Sequence, residues 1–598
     1  MKTIKLIAKW IKSSWWLLLL SLVILVLLNY IRSLVPVFVS QVIYILDPKT
    51  TDLLTQKSSP LPEVFLFLFK NKEQITQLII VSVTFLGVII LRDLSNFLFD
   101  ICNNYVAEKT GQNIQMAFYN KIQDLPTAYL NHAETGDLIQ RALNDVTKIK
   151  RFMQNVLGGM MTSLLLVVFY FLQMLRINVY YALLCSCLVP VVAIIAFIYA
   201  KIISPKIESA EETEGKFLTV AQESLTNIRV VKAFNNEKYE MKQYKNATDE
   251  YVNAWMKING RMSIFWGATD VLCYIQIILS IAFGYYFMTT YNLNLADTVL
   301  MIGCTSSLIW PARNFGRQVS ELTKTEIATQ RINDVLDKED EYIINGTLKP
   351  LIKGNIIFKN VGFKFFDTEE YLFKNLSFEI KAGETVAIIG RTGEGKTTLI
   401  SLINRLLERN EGEIFIDGEL IDNIEKHYLR KNIGVVLQEP FLYSTTVEEN
   451  ISVLLDKIDT TKVKRAAALA NIEKDILKFK DQYETKVGER GITLSGGQKQ
   501  RLAIARILTN EKPILIFDDS LSAVDAETDQ KIRKSLKEIQ NQVTTIIITH
   551  RVTTAMNADK ILVLDKGSIA DLGKHEELIT RPGLYKKIWD IQSQLGEE

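Results

Sequence analysis

The first half of this chain holds six apolar runs, and no other feature constrains its fold as strongly. A helix that crosses ~30 Å of hydrocarbon needs roughly 20 mostly apolar residues. The runs fall at approximately Trp15–Ile45, Ile75–Cys102, Val156–Leu175, Val179–Ile203, Ser263–Met288 and Leu295–Ser320. The first is too long for a cleaved signal peptide, and no small-residue cleavage site follows it. Six membrane-spanning helices are expected.

Charge sets their orientation. Lys2, Lys5, Lys9 and Lys12 precede the first run, and the connections 103–155 and 204–262 are rich in Lys and Arg. The short connections 176–178 and 289–294 carry only Arg176. The positive-inside rule then puts both termini and both long connections in the cytoplasm, with a bacterial plasma membrane as the expected location. Segment 46–74 holds four lysines and a "VFLFLF" run too short to span, which reads as an interfacial cover. The long connections contain "AEKTGQNIQMAFYNKIQDL" and "ESAEETEGKFLTVAQESLTNIRVVKAF", helix-favouring stretches without Gly/Pro/Ser clusters. They should prolong the spans tens of ångströms beyond the bilayer.

Beyond about residue 320 the pattern changes to charge alternating with short apolar strands. A chain of 598 residues is too long for one hydrophobic core. We place a transmembrane domain at 1–335 and a soluble domain at 336–598. Net charge of +2 gives no sign of a nucleic-acid partner. The five cysteines, Cys102, Cys185, Cys187, Cys273 and Cys304, all lie in the membrane half without CxxC or metal-ligand spacing, and read as packing residues with free thiols.

The soluble half carries the chemistry. In "TVAIIGRTGEGKTTLISLINRLL" a β-branched strand leads through a glycine loop into an apolar-periodic helix. Gly390, Arg391, Thr392, Gly393, Glu394, Gly395, Lys396 and Thr397 satisfy GxxxxGK[ST] in the required strand–loop–helix context, with Thr398 following. Such a loop turns backbone N–H groups and a helix N-terminus toward phosphate oxygens. Lys396 would reach the β- and γ-phosphates, and the Thr397 hydroxyl would ligate Mg²⁺. Glu394 puts negative charge in an anion cradle, so its side chain is expected to face solvent. A second helix opens at "LSGGQ", where Ser495, Gly496, Gly497 and Gln498 make another N-terminus suited to an anion. Nothing in the spacing shows the two helix starts facing one nucleotide.

The phosphate loop, Gln438 in "VVLQEPFLYSTTVEENI", the LSGGQ, Asp518 in "ILIFDDSLSAVD" and His550 in "TTIIITHR" together resemble the cassette of an ATP-binding-cassette (ABC) transporter. "GDLIQRALNDV" and "NIRVVKAFNNE" are similar to intracellular segments of ABC exporters. The resemblance implies a fold of six transmembrane helices extended into the cytoplasm, joined to an α/β P-loop NTPase cassette with a helical subdomain. It implies ATP and Mg²⁺ as cofactors, and dimerised cassettes in which each ATP lies between one phosphate loop and the other chain's LSGGQ. Phe365 would stack on adenine where a tyrosine is usual. Gln438 and Asp518 would join Thr397 at Mg²⁺, His550 would contact the γ-phosphate, Asp525 would reach across the dimer, and "VGERG" (487–491) would touch intracellular helices.

One departure from the family pattern stands out. The position after Asp518, a glutamate in the family, is Asp519. Aspartate is one methylene shorter, so its oxygens would miss the attacking water by more than ~1 Å, an error that can cost ~10²-fold in rate. A shortened acid beside an intact LSGGQ suggests one half of a heterodimer whose partner carries the glutamate. It would export amphipathic small molecules through the bilayer. The alternatives are a homodimeric lipid or peptide exporter with slow ATPase, or an ATP-gated channel or regulatory subunit. Within the spans, a structural Arg92–Asp270 or Arg92–Asp93 pair is favoured over a substrate role, with Asn29, Arg32, Trp310 and Arg313 as candidate pathway residues.

Overall fold

A computed structural model describes residues 8–12, 14–46, 72–488, 491–520, 528, 530–532, 534 and 543–594. The chain forms two compact units, Met1–Gln123 with Glu134–Lys338, and Asp124–Ala133 with Glu339–Glu598. The inclusion of 124–133 in the second unit has no signature in composition.

Among the described residues of the first unit, six helical stretches are long and apolar enough to cross a membrane. The first is broken at Leu34 into α1 (Trp15–Ser33) and α2 (Val35–Leu46), because Pro36 has no N–H to bond the Arg32 carbonyl and its ring crowds that turn. Helix α3 (Gln74–Asp124) runs unbroken for 51 residues. The interfacial cover expected at 46–74 lies almost wholly outside the described residues. Next come α4 (Thr127–His132), which belongs to the second unit, then α5 (Thr135–Gln140), a π-helical turn at Arg141–Asp145, α6 (Val146–Arg151), a second π turn at Phe152–Leu157, and α7 (Gly158–Ile177). The fourth stretch divides at Cys187 into α8 (Val179–Ser186) and α9 (Val189–Thr226). After the single-turn α10 (Ile228–Ala233), α11 (Glu237–Tyr291) spans 55 residues and α12 (Leu295–Leu336) 42.

Hydrocarbon provides no hydrophobic drive for helices to associate, so close approach and interhelical hydrogen bonds hold the bundle. The Tyr181 hydroxyl donates to the Ser280 carbonyl (2.7 Å), Gln276 to the Cys185 carbonyl (2.7 Å) and Ser40 to the Ala296 carbonyl (2.7 Å). Gly284 lets α11 close on its neighbours, since a methyl there would lie 2.5 Å from Thr298. All five cysteines are free.

Two charge pairs settle the sequence expectation. Arg92 pairs with Asp93 at 2.8 Å. Arg92 does not pair with Asp270, whose partner is Arg313 on α12, itself 4.3 Å above the Trp266 ring. Asn29 is corrected too: it is wholly buried and donates to the Leu25 carbonyl (2.7 Å), so it serves α1 rather than a pathway in this conformation. Arg32 is half-buried and donates to Asn96 (2.9 Å), whereas Trp310 is 62% exposed.

Among its described residues the second unit contains two sheets. A four-stranded antiparallel sheet has the order β2–β1–β4–β5, from β1 (Ile356–Phe363), β2 (Phe373–Ile380), β4 (Glu411–Ile416) and β5 (Glu419–Leu420). The larger sheet has the order β10–β9–β3–β8–β7–β6, from β3 (Thr385–Gly390), β6 (Ile433–Val436), β7 (Ile514–Asp518), β8 (Thr544–Ile548), β9 (Lys560–Asp565) and β10 (Ser568–Gly573). Its inner strands are parallel and covered on both faces, which is why "VAIIG" and "ILIF" are apolar throughout rather than alternating. One core layer sets Ile356, Phe358, Ile388 and Ile516 against Leu399 and Ile403 of α13 (Lys396–Ile403). Full burial of each such side chain contributes about 1.5–3 kcal/mol. Helix α14 (Lys426–Asn432) follows. The other layer packs α15 (Val447–Ser452), α16 (Thr460–Leu469) and α17 (Gly496–Ile507), the helical subdomain, on Phe517 and Ile547. The final helix is α18 (Leu584–Gln594).

The Arg313–Asp270 contact yields a test inside the bundle. Asp270→Asn should lower thermal stability, and in a double-mutant cycle with Arg313→Gln the coupling energy should be about 1–2 kcal/mol. Additive losses in detergent melts would show that the two side chains do not act as a pair.

Candidate nucleotide site

The parallel register carries β3 and β7 to the same edge of the sheet, with β8 between them. Chain leaves β3 at Gly390 into the glycine loop and leaves β7 at Asp518, so loop and carboxylate meet at the strands' carboxyl ends. Gly393 and Gly395 have φ of +91° and +86°. A methyl at Gly395 would sit 2.6 Å from the Phe373 ring, whereas space around Gly393 is open. The loop thus takes a conformation reserved for glycine, which curls backbone N–H groups into an anion nest.

Lys396 is buried at the start of α13, its ammonium donating to the Gly390 (2.9 Å) and Arg391 (2.8 Å) carbonyls. Burial holds its pKa below the usual lysine value, while Asp518, Asp519 and Glu394 act against the shift. The Thr397 hydroxyl donates to the Asp518 carboxylate at 2.9 Å. Burial raises the Asp518 pKa, opposed by that hydrogen bond and by Lys396 and His550, and reinforced by Asp519. Glu394 is half-buried and close enough to Lys396 to favour its charged form. Arg391, Thr392 and Gly393 are exposed and Thr398 is half-buried. Mg²⁺ is commonly held by one or two protein oxygens together with phosphate and water, and the Thr397–Asp518 pair fits that donor set. The nest and the buried ammonium fit the phosphates of ATP.

Asp519 has φ of +45°, a left-handed backbone that Asp tolerates better than most residues, and its N–H extends the ladder to the Ile548 carbonyl (3.0 Å). His550 is exposed, its carbonyl accepting from Gln592 on α18 (2.7 Å). The same Gln592 side chain accepts from the Val552 N–H (2.8 Å). This pin on the His550 loop was missed in the sequence, where 42 residues separate the partners. Gln438 is exposed and its carbonyl accepts from Gln500 (3.4 Å). Phe365 is half-buried, edge-on to Phe363 at 5.1 Å. Ser495 and Gln498 form a reciprocal capping box on α17. Among the described residues, no hydrogen bond or ion pair joins Ser495, Gly496, Gly497 or Gln498 to the phosphate loop. Asp525, and Glu489 and Arg490 of "VGERG", lie outside the described residues.

The ABC transporter transmembrane region model matches residues 16–312, and the ABC transporter model matches 373–522. YknU, an uncharacterised ABC transporter ATP-binding protein of Bacillus subtilis, is 31% identical over 86% of this chain and 88% of its own length. The chain belongs to the ABC transporter family. It is an ATP-hydrolysing, multi-pass membrane transporter. A multidrug resistance ABC transporter ATP-binding and permease protein of Lactococcus lactis is 32% identical to this ABC transporter, over 82% of this chain and 83% of the other. An ATP-dependent lipid A-core flippase of Saccharophagus degradans is 32% identical, over 80% and 81%. The structure of a bacterial Atm1-family ABC exporter with ATP bound matches with a TM-score of 0.81 at 26% identity, covering 96% of this chain and 99% of the other.

The glycine geometry of this ABC transporter's loop can be tested directly. Gly395→Ala adds both a clash and a left-handed strain of about 1–2 kcal/mol, so ATP affinity should fall at least about tenfold. Gly393→Ala, with open space, should do less. Calorimetric titration of ATP checks the order, and equal affinities in both variants would contradict the nest.

Proposed function

We propose that this chain exports amphipathic small molecules, drugs or lipids, as one half of a heterodimer with 1–335 as the translocating domain and 336–598 as the cassette. The observation that carries the proposal is Asp519, a shortened acid at the end of an otherwise complete phosphate site. The names of its multidrug and lipid A-core flippase relatives support the substrate class. Both termini face the cytoplasm in this reading.

The chain's own residues divide the work. On binding, Lys396 exchanges the Gly390 and Arg391 carbonyls for phosphate oxygens. Phe365 offers a ring face to adenine. Thr397 and Asp518, with Gln438, would hold Mg²⁺, which when bound neutralises phosphate charge during transfer. His550 stands on the γ-phosphate side of Asp518. Asp519 is too short to place the water, which removes much of a base contribution of ~10²–10⁴-fold. ATP affinity is spared, because the cradle does not use that carboxylate. Ser495, Gly496, Gly497 and Gln498, preformed by their capping box, complete the partner's site.

The second reading is a homodimeric lipid exporter with two slow sites, its lipid substrate supported by the names of the flippase relatives. Steady-state ATPase separates the two. Lys396→Ala should weaken ATP binding at this chain's site about 10- to 100-fold, while Asp519→Asn leaves it within about twofold. In the co-purified pair, glutamine at the partner's catalytic glutamate should nearly abolish turnover, and Asp519→Asn should have a much smaller effect. If Asp519→Asn silences the pair as fully as the partner's change, Asp519 is an ordinary catalytic residue.

A further inference from the structure

The helix that starts at the phosphate loop ends in a buried polar junction for which the nucleotide chemistry has no use. Arg405, two residues past α13, is 1% exposed with φ of +50°. Its Nη1 donates to the carbonyls of Ile421 (3.1 Å), Asp422 (3.4 Å) and Ile424 (2.9 Å). Its Nη2 donates to the Ile344 carbonyl (3.5 Å) and to Glu408 (3.3 Å). Arg430 on α14 donates from Nε to the Asn404 carbonyl (3.0 Å) and from Nη2 to the Arg405 carbonyl (2.6 Å). The same guanidinium forms a two-point ion pair with the nearly buried carboxylate of Glu341. Lys426 donates to the Glu341 carbonyl (2.9 Å), and the Glu341 N–H donates to the Asp124 carbonyl (2.7 Å).

Three properties make this more than packing. The carbonyls at a helix C-terminus carry partial negative charge, so the guanidinium grips the end of α13 opposite its phosphate end. Arg430 is planar and forked, so it fixes direction as well as charge. Its carboxylate partner lies two residues after the chain enters the second unit at Glu339, and Asp124 is where α3 enters it. The helix end and two of the chain's crossings therefore share one set of bonds.

We propose that Arg430 and Glu341 are positioning residues for coupled transport, carrying the movement of α13 on ATP binding to the segments that lead into the membrane unit. The inference rests on the reading of 390–397 as an ATP site. Neither residue touches nucleotide, so losing the pair uncouples the two activities without stopping hydrolysis.

The test uses the assembled full-length transporter with Arg430→Lys, Glu341→Gln and the double variant. The control is Arg409→Gln, which breaks the Arg409–Asp422 pair (2.5 Å) in the same unit. Transport of the lipophilic dye Hoechst 33342, ATPase, melting temperature and ATP-dependent hydrogen exchange are measured together. Both single variants should keep ATP affinity and basal ATPase within about twofold, while dye moved per ATP falls about 3- to 30-fold. The double variant should be no worse than the weaker single, because the pair acts as a unit. On adding ATP, exchange should still slow in peptides covering 390–403, and the change in peptides covering 135–157 should disappear. Arg409→Gln should lower melting temperature without uncoupling. An unchanged transport-to-ATPase ratio in both singles, or the same loss in Arg409→Gln at equal melting temperature, overturns the inference. If the wild-type chain moves no dye, the substrate class fails and the exchange arm alone decides this point. If it binds no ATP, the site reading falls, and the inference with it.

Discussion

A peptide group in hydrocarbon has no water to bond with, and the architecture of this chain follows from that constraint. Every N–H and C=O inside the bilayer must be satisfied within its own helix. Nothing at the membrane surface then forces those helices to stop, and the sequence supplies helix-favouring residues where the apolar runs end. Helix α3 stops only at Asp124, just before Leu125 and Pro126. Helix α12 continues past its internal Pro311, and α9 past Pro205. The breaks that do occur have local causes, as at Leu34 ahead of Val35 and Pro36.

The second unit obeys the opposite rule. Its backbone groups are satisfied between strands, and the parallel order places every βα turn on one edge of the sheet. Function therefore concentrates where β3 and β7 end, and the electrostatics there are taut. One buried ammonium, Lys396, stands among Asp518, Asp519 and Glu394. Its hydrogen bonds go to the carbonyls of its own loop. The site is therefore preformed in shape, with three carboxylates set around one ammonium.

Sequence patterns revealed the spans, the phosphate loop and the signature helix, because each depends on neighbours within a few residues. The Thr397–Asp518 contact was legible only through motif resemblance, since 121 residues separate the pair. Other features had no local signal. The π turn Arg141–Asp145 ends on a fully buried carboxylate that meets Lys148 (3.3 Å) and Arg331 (3.4 Å), a partner far along the chain. The choice of Arg313 over Arg92 for Asp270 depends on helix rotation, which periodicity leaves free between adjacent flanks. Left-handed backbone at Asp519 follows from the turn out of β7 and could not be read from composition.

The unbroken length of α11 has a mechanical consequence. At 55 residues it is a rod of ~82 Å, held by main-chain hydrogen bonds that resist bending over each turn. A rigid rod converts small rotations into large displacements in proportion to its length. Tilting α11 by about 5° around one end sweeps the other through roughly 7 Å, more than one helical turn's rise. A leaf-spring of comparable length built from short helices and loops would absorb such a tilt in its joints. Mechanical gain in this molecule is thus written into residue count, and a helix-breaking insertion anywhere along α11 would act as a clutch.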